Sequence, residues 1–206
     1  MEDPRTDPVR PRRAHDFEAS YTGTPPWDIG RPQPAFLTLA EAGVLRGRVL
    51  DVGCGTGEHA LMPARLGLEA TGIDTAPTAI ALAESKARNR GLLARFLVRN
   101  ALQLASFGEQ YDTVLDCGLF HVLDDEDRRS FVDNLAAVIP PSGRYLMLCF
   151  SELQPGDTGP RRVTQDEIRA SFASGWQVDS IEPAKLETTM GSDGVRGWLA
   201  CITRTT

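Results

Sequence analysis

Cysteine, histidine, aromatic residues and basic excess are all scarce in this chain, and each shortage removes a class of function. The four cysteines, Cys54, Cys117, Cys149 and Cys201, include no C-x-x-C pair. Neither a zinc knuckle nor a thioredoxin-like redox pair is therefore encoded, and burial is the expected fate of Cys149 and Cys201. Only three histidines are present, with no carboxylate cluster at ligand spacing around them, so no metal is expected. The formal charge of -6 argues against tracking nucleic-acid phosphates, which needs a clustered basic surface. Apolar runs are short and interrupted by charge, far from the roughly 20 residues of a membrane helix. The amino terminus, MEDPRTDPVRPRRAHDF, carries no apolar core of a secretory signal, which leads to a cytoplasmic expectation.

What remains is a chain of 206 residues, 41% hydrophobic, enough to bury one sizeable core. Residues 1–15 are rich in Pro, Arg and Asp, a composition that predicts a disordered leader. Residues 16–206 then form one domain, whose first part, about 16–45, is expected to act as a lid. Phe36, Leu37, Leu39 and Ala40 share one face of a helix predicted over 34–43. After it, β-rich runs at 48–52, 70–74, 95–99, 112–117 and 144–150 alternate with helical patterns at 58–66, 78–89 and 127–138. That rhythm predicts a parallel sheet covered by helices on both faces, an α/β three-layer sandwich of Rossmann-like type. A helix over 164–174 follows a Gly/Pro-rich loop at 152–163. Strands at 176–181 and 197–203 lack a crossover helix between them and are expected to pair antiparallel.

Val49-Leu-Asp51-Val-Gly53-Cys-Gly55-Thr-Gly57 sits where the first strand meets the first helix of the alternation. Ligands bind there in open α/β sheets, and glycines let a ligand approach the backbone. Seventeen positions on, the second strand ends in Gly72-Ile73-Asp74, a carboxylate placed to accept both hydroxyls of a ribose. A dinucleotide fingerprint would need a glycine at 58, where Glu58 stands. That acid either repels a pyrophosphate or merely complements the helix dipole. A nicotinamide oxidoreductase is the disfavoured alternative, and a non-catalytic nucleoside binder stays open.

Asp51-Val-Gly-Cys-Gly-Thr-Gly57 with Gly-Ile-Asp74 resembles the first two motifs of class I S-adenosylmethionine-dependent methyltransferases, over about residues 17–203. The resemblance implies a seven-stranded, mostly parallel sheet whose last strand is antiparallel. It implies further that Asp51, Gly53 and Gly55 hold the methionine moiety and Asp74 with Thr75 the ribose. Where such families often place an acid against the adenine amine, this chain has Asn100-Ala101, an amide that either accepts that hydrogen bond or caps a turn. Cys117, at the end of the fourth strand, borders the same cofactor site.

Thr24-Pro-Pro-Trp27-Asp-Ile-Gly-Arg-Pro32 is similar to the amino-terminal signature of the thiopurine, thiol and halide methyltransferase branch. Its stiff loop can lie over the cleft, and Trp27 either packs in the core or faces a sulfonium. Together with Asp116-Cys-Gly-Leu-Phe-His121 the pattern looks closest to heterocyclic-toxin methyltransferases, which implies O-methylation, and so detoxification, of a hydroxylated, quinolone-like small molecule. Thiol, thiopurine or halide methylation is the nearest alternative. His121, just past a strand end, is the candidate general base, its ordinary pKa of about 6.5 suiting a phenol-like nucleophile. Tyr21, Phe120 and Phe150 are candidates for the acceptor pocket. Asp124-Asp-Glu-Asp127 reads as a helix cap, and Arg161 and Arg162 as solvated charge or as clamps on an anionic substrate.

Overall fold

The computed structural model describes residues 14–206. The predicted leader falls outside them except for residues 14 and 15, which open the first helix. In chain order the elements are α1 (Ala14–Ser20), α2 (Pro34–Glu41), β1 (Val49–Val52), α3 (Glu58–Arg65), β2 (Ala70–Asp74), α4 (Pro77–Arg90), β3 (Arg95–Val98), β4 (Thr113–Cys117), α5 (Asp125–Val138), β5 (Arg144–Phe150), α6 (Gln165–Ser171), β6 (Trp176–Thr188) and β7 (Gly191–Arg204). Short 3-10 turns follow β3 at Ala101–Phe107 and β4 at Phe120–Val122.

The seven strands form one sheet in the order β3-β2-β1-β4-β5-β7-β6. β1 to β5 pair parallel, whereas β7 runs antiparallel to both neighbours, so the expected α/β sandwich with a reversed last strand is what forms. All four residues of β1 are buried, because helices cover both faces. Val52, Ile73, Val114 and Met147 pack on one face with α5. Val49, Leu115, Leu146 and Leu148 pack on the other, where α2 contributes the fully buried Phe36. The side chain of Asp124 accepts from the amides of Glu126 and Asp127 and starts α5. Thr164 and Glu167 form a reciprocal capping box that starts α6.

The largest departure from expectation is the hairpin of β6 and β7, which outruns the predicted 176–181 and 197–203 at both ends of its turn. Pro183 and the polar run around it read as a loop in sequence. The strand tolerates them because β6 is the sheet's edge, where a missing amide leaves no inner ladder bond unmade. Phe150, the last residue of β5, pairs with Gly197, so residues 191–196 of β7 project beyond the carboxyl end of the parallel strands. That overhang reaches the amino-terminal segment, where the Thr189 amide donates to the Pro26 carbonyl. Among the described residues, no helix is long and apolar enough to cross a membrane.

Candidate active site

The loop leaving β1 is shaped by backbone conformations that side chains resist. Gly53 and Gly55 have φ of 68° and 51°, and a Cβ on Gly55 would lie 2.8 Å from the Tyr21 hydroxyl. Asp74, ending β2, accepts from the Gly55 amide at 2.8 Å through Oδ2 and from the Ala76 amide at 2.9 Å through Oδ1. Having accepted these amides, each carboxylate oxygen still has capacity for a further hydrogen bond. Burial raises its pKa, and those amides oppose the rise.

Asp51 is the least satisfied group in the site. It is 1% exposed, and neither carboxylate oxygen has a hydrogen-bond partner. Burial, then the neighbouring Asp116 and Asp74, push its pKa well above the usual carboxylate range, and the nearby Ala60 amide, which falls short of a full hydrogen bond, opposes the rise only in part. Asp116 differs. It is equally buried but accepts from the Leu119 amide at 2.7 Å, the Phe120 amide at 3.1 Å and the Tyr145 hydroxyl at 2.6 Å. Burial raises it to about 6 against those hydrogen bonds, and its role is to fasten the turn after β4. Asp51 by contrast is a buried acid with its acceptor capacity unused, which suits a cationic amine, while Asp74 suits a diol.

The turn after β4 presents His121, which is 5% exposed. Its Nδ1 accepts from the Phe150 amide at 3.0 Å, and the Phe150 ring packs edge-on against it at 4.9 Å. Burial first, then Arg128 and Arg162, lower its pKa to about 3. Phe120, expected on the acceptor pocket, has its ring buried in the core, stacked on Phe172 under the Arg128 guanidinium. The two exposed arginines read from sequence are also engaged: Arg161 pairs with Asp125 and Glu167, and Arg162 donates to the carbonyls of Gln154, Gly156, Thr158 and Pro160 while lying 5.3 Å over the Phe150 ring.

The amino-terminal segment lies against the loop after β1, where the Tyr21 hydroxyl faces Gly55. Trp27 donates to the hydroxyl of the buried Tyr21, which packs with Ala76 and Ala79. Burial and then Asp74 raise the Tyr21 pKa. Thr56 donates to Asp28 at 3.0 Å and accepts from Lys86; Lys86 and Arg90 both pair with Glu58, Arg90 through two bonds of 2.7 and 2.8 Å. Burial pulls the Glu58 pKa up, yet these cations outweigh it and hold the carboxyl below its ordinary value. Gln33, 2% exposed, bonds through both ends of its amide to the Glu187 backbone, and the Thr189 amide donates to Pro26. The hairpin overhang and the amino-terminal loop are thus one assembly. His59 accepts from the Gln33 backbone amide at 3.0 Å, a structural bond that ties α3 to the start of α2.

Other expected site residues are placed as follows. Thr75 is half-buried beside Asp74, and Asn100 caps the turn after β3 by accepting from the Leu102 amide at 2.9 Å, with Ala101 buried behind it. Cys117 packs into the core cluster shared by α2 and the sheet. Glu58's cation pair, Gln33 and the hairpin tip were not among the residues singled out from sequence. Only the charge complement of Lys86 and Arg90, one turn apart on a helix, carried any signal of them.

A family described as a methyltransferase domain matches residues 49–143, which span β1 to the turn before β5. The 2-heptyl-1-hydroxyquinolin-4(1H)-one methyltransferase of Mycobacteroides abscessus is 38% identical over 82% of this chain and 80% of its own length. Probable thiol methyltransferase 2 of Arabidopsis thaliana is 28% identical over 80% of this chain and 75% of its own. Among solved structures, one described under the conversion of a disulfide bond into a thioacetal group during echinomycin biosynthesis superposes with a TM-score of 0.86 at 36% identity, covering 94% of this chain and 93% of that one.

Proposed function

Because the chain belongs to the class I S-adenosylmethionine-dependent methyltransferases, we propose that it uses that donor to methylate the hydroxyl of a small heteroaromatic of the quinolone kind. The similarity to the quinolinone methyltransferase carries the choice of acceptor. The donor's fit rests on the chain's own residues. Asp51, buried with no partner, takes the ammonium of the methionine moiety; the glycine backbone at Gly53 and Gly55 takes its chain; Asp74 with Thr75 takes the ribose; Asn100 and Ala101 border the adenine, and Cys117 lines the floor. Trp27 and Tyr21 close over the donor, so residues 16–45 serve as the lid.

Bound there, S-adenosylmethionine supplies an electrophilic methyl group on a sulfonium. The protein's task is to set the acceptor oxygen roughly 3 to 3.5 Å from that carbon and to keep water out. Phe150 offers its ring to a flat acceptor, with the His121 ring edge-on beside it. Methylation would mask an acidic hydroxyl, which is how such chemistry detoxifies a heteroaromatic. The 28% identity to a thiol methyltransferase favours a second reading, S-methylation in the same pocket. The test is calorimetric titration with S-adenosylmethionine followed by incubation with hydroxyquinolones, phenols, thiols and halides and mass analysis of the products. Methylated hydroxyquinolone is expected; methylation of thiols alone sinks the O-methyl reading, and absence of donor binding sinks the assignment of Asp51 and Asp74.

A further inference from the structure

His121 stands in a position that suggests a base, and its hydrogen bonding is that of a donor. The Phe150 backbone can only give its amide proton, so Nδ1 must carry the lone pair that receives it at 3.0 Å. The neutral ring then has its proton on Nε2. Nε2 has no hydrogen-bond partner among the described residues and faces Gly118, where a Cβ would come within 3.3 Å of it. With no side chain at 118, that edge of the ring is uncovered. Taking a proton would require His121 to become a cation inside the protein, facing Arg128 from α5 and Arg162 from the loop after β5, both already positive. It would also displace the Phe150 amide from Nδ1.

Among the described residues, no other group at this end of the cleft stands ready to replace it. Asp116 is occupied by two amides and the Tyr145 hydroxyl, Asp51 and Asp74 lie at the donor end, and Tyr21 is tied to Trp27. We propose that His121 is a fixed Nε2–H donor that binds and orients an acceptor already ionised in solution, and that the enzyme thereby selects heteroaromatic hydroxyls acidic enough to be anions at neutral pH. This rests on the O-methyl transfer proposed above. An oxygen lone pair of the anion forms the new O–CH3 bond, the electrons of the S–CH3 bond stay on sulfur as a neutral thioether, and no proton moves. Arg128, 4% exposed and with Nη2 unpartnered, adds positive potential to this end of the cleft.

The experiment has a structural and a kinetic arm. In the S-adenosylhomocysteine complex, nitrogen-15 NMR of the histidine rings is expected to show His121 neutral with its proton on Nε2, unchanged between pH 8 and pH 5. A protonated Nδ1, or a titration near pH 6.5, overturns the assignment. Kinetically, kcat/KM for an N-hydroxyheteroaromatic is expected to follow that acceptor's own ionisation, while a simple phenol, ionising near pH 10, loses about tenfold per pH unit below it. His121→Leu is expected to lose about tenfold to a hundredfold in kcat/KM, and His121→Gln, which can donate but cannot act as a base, to recover part of that loss with an unchanged pH profile. An inflection near pH 6–7 in the wild type that vanishes in His121→Gln, or a Gln variant no better than Leu at equal S-adenosylhomocysteine affinity, refutes it. Methylation of no hydroxyl in the panel overturns the O-methyl reading itself, and the NMR arm tells the two failures apart.

Discussion

Replacing Asp51 by Asn should stabilise the empty protein and disable donor binding in the same molecule. The carboxylate is sealed from water with both oxygens unpartnered and has Asp116 and Asp74 as neighbours. An unpaired buried polar group costs about 1–3 kcal/mol and a charged one more. Folding the carboxyl costs either a buried charge or the uptake of a proton against its ordinary 3.8, and the amide bears neither, so the apoprotein of Asp51→Asn is expected to gain at least about 1 kcal/mol, or about 2–4 °C in Tm for a chain of this size. Donor affinity moves the other way: losing a charge-assisted bond to an ammonium, worth about 1.5–3 kcal/mol, weakens Kd by about tenfold to a hundredfold. The pH dependence follows from the raised pKa. A carboxyl whose folded pKa exceeds its unfolded one holds more protons in the native state between the two values, so the wild-type apoprotein loses stability as pH rises from the unfolded value, 3.8, toward the folded one. Ammonium binding demands the ionised form, so donor binding expels a proton within that window, and affinity rises with pH by at most about tenfold per unit. Thermal melts with and without donor, and calorimetry in two buffers of different ionisation enthalpy, read all of this. A destabilised apoprotein, or unchanged affinity and no proton release in the wild type, refutes the reasoning.

Gly55→Ala should weaken the donor at least about tenfold and lower Tm, since a non-glycine residue pays about 1–2 kcal/mol for that backbone conformation and its Cβ meets the Tyr21 hydroxyl at 2.8 Å; an unchanged titration would remove the loop from the site. Glu58→Gln should destabilise by about 2 kcal/mol at neutral pH, discounted because Arg90 and Lys86 are part-exposed. Glu58 has a depressed folded pKa, so its contribution is present above the ordinary 4.5 and lost as pH falls through the lower folded value; melts of the two proteins should converge in acid, and a constant gap would contradict the ion-pair account. Gln33→Ala should free the hairpin tip, seen as faster hydrogen exchange at Glu187 and Thr189 with strands β1 to β5 unchanged; equal protection would show that Gln33 is no anchor.

How far the sequence carries depends on whether a feature is local. The five parallel strands were legible because each is a short apolar run bounded by turn residues, and β2 and β5 have the predicted bounds. The reversed last strand was legible because no crossover helix fits between 181 and 197. The extended hairpin was not, since Glu182-Pro183-Ala184-Lys185 earns its strand conformation only from pairing with β7 at an open edge. Likewise Asp51, Gly55 and Asp74 lie in contiguous motifs, whereas nothing near Phe120 in sequence reveals that Phe172, fifty-two positions on, would stack on it. The hydrogen bond that fixes the His121 ring comes from a backbone amide twenty-nine positions away, and backbone donors leave no trace in residue identity.

The strand order also sorts charge across the cleft. β2 and β1 bring Asp74 and Asp51 to one side, and β4 and β5 bring His121 and Phe150 to the other, with Arg128 and Arg162 behind them. A sulfonium donor that also carries an ammonium belongs with the carboxylates, and an anionic acceptor with the arginines. Transfer then joins a cation to an anion and leaves two neutral products at the reacting centre, which a water-poor site favours because no solvation of charge competes with the reaction. The same sorting discriminates against amines. An aliphatic amine, protonated at neutral pH, would meet the arginine side with a like charge and, on the proposed role of His121, an Nε2–H that cannot accept its proton, so selection against methylation of such amines is the expected outcome of that proposal.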